Sequence, residues 1–225
     1  MDWQIQVKVN EKLFLRNPEQ SNLGKSILAE GVHLIDELGL EEFTFKKLAQ
    51  KLGTNESSIY RYFESKHRLL LYLFQWYWRW MDYQLTFLTH NLTDPYKKLE
   101  IALELLLRKV SLPEEGNTSI DKNALHRIVI KEASKVYLTR HVKEDNQNQF
   151  FKPYKDFNTK LAGMISELNP NYPFARSLSS TIIEMSHFQY FFKNNLPSLT
   201  DFGGSPDDTE LLNFLKHLID HSRKH

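Results

Sequence analysis

The sequence predicts an all-α protein, and three observations carry that expectation. Apolar residues recur at three- and four-residue spacing through most of the chain. Glycines and Asn/Pro-rich breaks punctuate those runs at helical lengths. Period-two alternation is confined to one short N-terminal stretch. The expected organisation is about nine helices with one possible short hairpin. It divides into an N-terminal arm or hairpin (1–24), a three-helix helix-turn-helix domain (25–70) and a helical body (71–225).

The elements follow in order. Gln4-Ile5-Gln6-Val7-Lys8-Val9 alternates polar and apolar, Lys12-Leu13-Phe14-Leu15 follows, and Asn17-Pro18 stops the run. A short hairpin, an extended arm and a partly disordered tail all fit this pattern. Ile27, Gly31, Leu34, Ile35 and Leu38 mark the inner face of a first helix, and Gly39 is placed to end it with a left-handed backbone. Thr44 can N-cap a second helix with Phe45, Leu48, Ala49 and Leu52 inside, ended by Gly53. Asn55 can cap a very short third helix with Ile59 and Phe63 inward, and Ser65 a fourth that runs to about Asn91. Thr93-Asp94-Pro95 opens a fifth, with Leu99, Leu103, Leu106 and Val110 inside, followed by a loop at Pro113–Asn117. One long helix is then expected from Asp121 to about Asp145, another from Phe150 to Leu168. After the break Asn169-Pro170-Asn171-Tyr172-Pro173, helices are expected over Phe174–Asn195 and, past a Gly/Pro loop (Pro197–Pro206), to about Asp220.

The composition excludes several classes. With no cysteine there is no disulfide framework, thiolate zinc site or thiol nucleophile, which fits a reducing cytoplasm. No signal-peptide core or transmembrane run is present, so no membrane role is expected and the Asn-x-Ser/Thr triplets at Asn55, Asn91 and Asn117 read as chance matches. The signatures HExxH, GxSxG and a phosphate-cradling glycine loop are absent, and the one adjacent Asp-His pair (Asp220-His221) sits in the terminal tail. No catalytic residue, cofactor or metal is expected. His126 and His187 read as core or pocket-edge polar groups, and His217, His221 and His225 as a solvated tail.

Net charge is only +1, but its distribution is uneven. Residues 25–43 hold one base against five acids, whereas 44–68 hold six bases against two acids. Only a segment of that second kind gains by displacing phosphate counterions. It coincides with Thr44-Phe45-Lys46-Lys47-Leu48-Ala49-Gln50-Lys51-Leu52-Gly53-Thr54-Asn55-Glu56-Ser57-Ser58-Ile59-Tyr60-Arg61-Tyr62-Phe63. Two helices joined by a short turn must approach closely, and Ala49 supplies the small contact while Gly53 supplies the turn's backbone angle. The second of them presents a short polar first turn (Asn55, Glu56, Ser57, Ser58) that can come near bases. Tyr60, Arg61, Tyr62 and Lys66 offer donors for phosphate oxygens.

The run Ile27-Leu28-Ala29, Leu38-Gly39-Leu40, Phe43-Thr44, Leu48-Ala49, Leu52-Gly53 and Ser58-Ile59-Tyr60-Arg61-Tyr62-Phe63-Glu64-Ser65-Lys66 resembles the N-terminal domain of the tetracycline-repressor (TetR) family. Tyr62-Phe63-Glu64-Ser65-Lys66 is its most specific part, and the resemblance covers roughly 25–72, about a fifth of the chain. It implies a homodimeric repressor of operator DNA whose third helix enters the major groove. Thr44 is then expected on phosphate, Thr54 to Ser58 at base edges, Tyr60 and Tyr62 on the backbone, and Lys66 on phosphate. Glu56 and Ser57 depart from the commonest family pattern, a base and a glycine. Glu56 either accepts from a cytosine amino group or points away as a helix-dipole partner, the second being the reading preferred.

The same resemblance implies an effector-binding and dimerisation body. The fourth helix is rich in aromatics, which either pack the core or, at Trp80, Tyr83 and Phe87 with His126 nearby, line an apolar effector pocket. The helices over 174–196 and 209–220 are apolar on more than one face, so Ile182, Met185, Phe188, Gln189, Leu211, Leu215 and Leu218 are candidates for a dimer interface. The expected effector is small and apolar or amphipathic. The alternative is a dimeric regulator without one, constitutive or governed by a protein partner.

Overall fold

The structure is a computed structural model that describes residues 7–111 and 120–222. Gln4, Ile5 and Gln6 of the alternating stretch, the loop residues Pro113–Asn117, and His225 lie outside the described residues. Eleven α-helices are described: α1 Asn22–Glu42, α2 Phe45–Lys51, α3 Glu56–Tyr60, α4 Lys66–Thr89, α5 Pro95–Leu106, α6 Lys122–Glu132, α7 Ser134–Tyr137, α8 Val142–Gln147, α9 Lys152–Leu168, α10 Ala175–Asn195 and α11 Thr209–Ser222. No strand occurs among the described residues. The chain forms two compact units, one of residues 1–79 and 114–153, the other of residues 80–113 and 154–225. α6–α8 fall in the first of these units.

In the first unit, residues 7–21 form neither hairpin nor loose tail. Asn10 and Asn17 each open a 3-10 turn (Glu11–Leu13 and Pro18–Gln20) by accepting the N–H two residues on. The backbone N–H groups that a hairpin would pair go elsewhere: Asn10 donates to Gln75 Oε1 at 2.9 Å, Leu15 to Tyr62 O at 2.8 Å. Leu13 and Pro18 are buried, and Pro18 lies so close to Gly24 that no side chain fits there.

Ser21 caps α1 by accepting from Gly24 N–H, and Ile27, Leu28, Gly31, Val32 and Ile35 form its buried face. Gly39 (φ 75°) breaks the helix where the sequence placed its end. The turn beyond is held from α6: the Glu132 carboxylate accepts from Leu40 N–H at 3.1 Å, and Arg127 grips Asp36 with two nitrogens at 2.6 and 3.0 Å.

The single helix expected over 121–145 is three, which accounts for eleven helices in place of nine. Leu138 leaves helical geometry (φ −99°, ψ 47°) and is exposed. Local periodicity yields here to contacts with α4. Tyr137 packs between Phe74 and Phe151 and accepts from Trp78 Nε1 at 3.1 Å. The buried Asp145 carboxylate faces His67 and Arg68, each at 3.7 Å.

In the second unit, Asp94 caps α5 by accepting from Tyr96 N–H. The helix stops at Leu106, short of the expected Val110, because Arg108 takes a left-handed backbone (φ 58°) that carries its guanidinium 4.6 Å from the Trp80 ring centre. The core includes Leu99, Leu103, Phe157, Leu161, Ile165, Ile183 and Ile219. Ile182, Leu211 and Leu215 belong to it as well, at 1 % exposure or less. These three are therefore interior residues of one chain, not the interface positions their apolar character suggested.

Candidate nucleic-acid interface

The site is built from local capping. Thr44 Oγ1 accepts from Lys47 N–H at 3.2 Å and starts α2. Gly53 (φ 63°) turns the chain between α2 and α3, a conformation other residues adopt at a cost. Asn55 Oδ1 then accepts from Ser58 N–H at 2.9 Å and from the hydroxyls of Ser57 and Ser58 at 2.6 and 2.8 Å. With their protons so placed, the two serine oxygens keep acceptor capacity and the Asn55 amide nitrogen keeps its donors. Ile59 roots α3 in the core, and Tyr60, half-exposed, rests edge-on against Phe45 at 5.0 Å.

Thr44, Asn55, Ser57, Tyr60 and Arg61 are exposed, and Thr54, Glu56 and Ser58 half-buried, on the short stretch around α3. Lys46, Lys51 and Arg61 are exposed and, among the described residues, take no side-chain partner. Glu56 stands in the first turn of α3, where a carboxylate complements the helix dipole.

Two of the residues expected on phosphate have partners within the chain. The Lys66 ammonium donates to the carbonyls of Leu40, Glu41 and Phe43 at 2.8, 2.9 and 3.1 Å. All three of its N–H groups are thus directed at the turn after Gly39, and none is left for a phosphate. Tyr62 is 2 % exposed, with its hydroxyl 2.8 Å from Ser21 Oγ. Nothing in sequence spacing announces either partner, because both lie far along the chain.

The expected effector-pocket residues fall in both units. Trp80 is buried, while Tyr83 and Phe87 are exposed and stacked on each other at 6.2 Å. His126 belongs to the first unit, where its Nδ1 lies 2.8 Å from the Tyr77 hydroxyl. Of the expected interface residues, Phe188 is exposed and Met185, Gln189 and Leu218 are half-buried. No group of three or more His, Asp or Glu among the described residues could hold a metal ion. No helix among them is long and apolar enough to cross a membrane.

A three-helix unit in which a tight turn leads into a short, exposed helix flanked by exposed cations is a helix-turn-helix arrangement. Residues 27–73 match the family described as "Bacterial regulatory proteins, tetR family". The match covers about a fifth of the chain and coincides with α1–α3 and the start of α4.

Among curated proteins none matches the sequence. Solved structures share the fold over nearly the whole chain. The ketosteroid transcriptional regulator KstR2 of Mycobacterium tuberculosis superposes with a TM-score of 0.58 at 13% identity, covering 97% of this chain and 98% of that one. AibR in complex with isovaleryl coenzyme A and operator DNA gives 0.59 at 14% identity, covering 86% and 96%. The fatty acid degradation regulator FadR from Bacillus halodurans gives 0.58 at 18% identity, with the same shares.

Proposed function

We propose that the chain is a cytoplasmic, homodimeric transcriptional repressor that places α3 of each protomer in the major groove of an operator. The observation that supports this best is the exposed polar first turn of α3, ringed by Lys46, Lys51 and Arg61 without partners among the described residues. Thr54, Asn55, Ser57 and Ser58 face bases, Thr44, Tyr60 and Arg61 contact the backbone, and Glu56 complements the dipole of α3. Tyr62 and Lys66 hold the domain in shape instead of touching phosphate directly. The region 25–70 reads DNA, and the exposed faces of α10 and α11, at Met185, Phe188, Gln189 and Leu218, join two protomers.

A small apolar or amphipathic effector releases the DNA in this reading. Its support is by likeness: AibR is seen with an acyl coenzyme A and operator DNA, and FadR and KstR2 are regulators of fatty acid degradation and of ketosteroids. The outward placement of Tyr83 and Phe87 favours a second reading, control by a protein partner that covers this pair.

Selection of duplexes from fragmented genomic DNA by the purified protein tests the first claim, and recovery of no preferred duplex would end it. Fatty acyl coenzyme A thioesters and steroids then test the second. A compound that raises the melting temperature and releases the selected duplex supports the effector. Failure of every such compound favours the protein partner.

A further inference from the structure

Residues 7–21 lie outside the three reading helices, yet they are fixed against them. We propose that Arg16 is an additional contact to the phosphate backbone of the operator, held in position by Tyr62; this rests on the DNA-binding reading above. The segment is anchored on both sides of Arg16. Leu13 is 1 % exposed, and Pro18 is buried against Gly24, where even a methyl group would meet Pro18 O at 2.2 Å. Between these anchors Leu15 N–H donates to Tyr62 O at 2.8 Å. The Arg16 guanidinium lies 5.5 Å from the centre of the Tyr62 ring. Tyr62 is fixed in turn by its hydroxyl on Ser21 Oγ, and Glu19 accepts from the Tyr72 hydroxyl at 3.1 Å.

Arg16 itself is exposed, and no carboxylate pairs with it among the described residues. The acids closest in sequence, Glu19 to Arg16 and Glu64 to Tyr62, are engaged, the first by Tyr72 and the second by Arg68 at 3.9 Å. A guanidinium laid on an aromatic ring keeps its N–H fork free at the edge, the geometry that takes two phosphate oxygens at once. Tyr62 is followed back along the chain by Arg61 and α3, so the ring carries one exposed arginine beside it in sequence and a second above it in space. Held this way, Arg16 loses little freedom on binding, unlike a cation on a loose arm. Its contact carries no sequence information of its own and serves to set the angle at which α3 enters the groove.

The test uses the full-length protein and a duplex that the wild type has itself selected, titrated by mobility shift over a series of potassium chloride concentrations. Arg16→Ala is expected to weaken binding several-fold to selected and unrelated duplexes alike. It should also lower the slope of log K against log salt by about 0.9 for each phosphate that is no longer neutralised. Arg16→Lys should keep the slope. Should Arg16→Ala lower the melting temperature, Arg16→Gln, which keeps the stem without the charge, must show the same lowered slope. An unchanged affinity and slope in Arg16→Ala or Arg16→Gln overturns the proposal. Arg61→Ala, run alongside, separates the two readings. If it weakens binding while the Arg16 variants do not, the DNA reading stands and the Arg16 contact falls. If the wild type selects no duplex, the DNA reading itself has failed.

Discussion

Single side chains here serve the fold more than their residue types suggest. Lys66 stands at the start of α4 with its ammonium saturated by three carbonyls. Its removal leaves those carbonyls to partial solvent, so Lys66→Ala is expected to cost about 1–3 kcal/mol in urea unfolding, as for charge-assisted hydrogen bonds. The salt dependence of DNA binding should stay as it is; a lowered slope at unchanged stability would return Lys66 to the phosphate. His187 makes a different case. Burial pushes its imidazole down to about 4. Above pH 6.5 the group is neutral both folded and unfolded and contributes no pH dependence. Below that value the unfolded chain takes up a proton that the folded chain refuses until about pH 4, so stability falls across this window as pH falls. The decrease is up to about 1.4 kcal/mol per pH unit. Urea midpoints for wild type and His187→Gln, measured from about pH 7.5 to 4.5 to span that window, should therefore converge or cross on acidification, and parallel curves would contradict the assignment.

At the scale of elements, the N-terminal segment depends on one close approach. Gly24 admits no Cβ against Pro18, whose backbone cannot yield without moving the turn that precedes α1. Gly24→Ala is expected to detach residues 7–21 and to lower stability by about 1–3 kcal/mol, the usual range for overpacking. Limited proteolysis should then cut near Leu15–Arg16, and a digestion pattern like that of the wild type would show the segment still seated. This segment also marks where sequence reading stops. The caps at Thr44 and Asn55 and the turns at Gly39 and Gly53 were legible because cap and capped group lie within three residues or so of each other. Residues 7–21 and the breaks between α6, α7 and α8 were not legible, since their partners are Tyr62, Gln75, Trp78 and Arg68, far along the chain. For the same reason Tyr62 and Lys66 could be picked out as important while the direction each side chain faces could not. Arg16 gave no signal at all, because nothing about an isolated arginine reveals the ring beneath it.

For the whole molecule, one helix-turn-helix with few exposed cations around it brings few phosphate contacts, and single sites of this kind bind weakly at cellular salt. Two copies joined rigidly convert the second half-site into an intramolecular encounter, which supplies affinity without any further phosphate contact per copy. That requirement gives the proposed dimer a physical reason beyond the apolar character of α10. The burial pattern narrows where the joint can be: Ile182, Leu211 and Leu215 are consumed by the core, whereas Phe188 stays 49 % exposed, with Phe192 6.0 Å away ring to ring. An interface with two-fold symmetry uses each residue twice, so a charge introduced at Phe188 is buried twice and faces its own copy. Phe188→Arg is accordingly expected to yield a folded monomer, with an unchanged circular dichroism spectrum because the position is already half solvated. Analytical ultracentrifugation would report the halved mass. On a duplex with two half-sites about 34 Å apart the variant should lose most of its affinity, and on a single half-site almost none. A Phe188→Arg protein that still sediments as a dimer would move the joint off this face of α10, leaving Leu218 on α11 as the next position to charge.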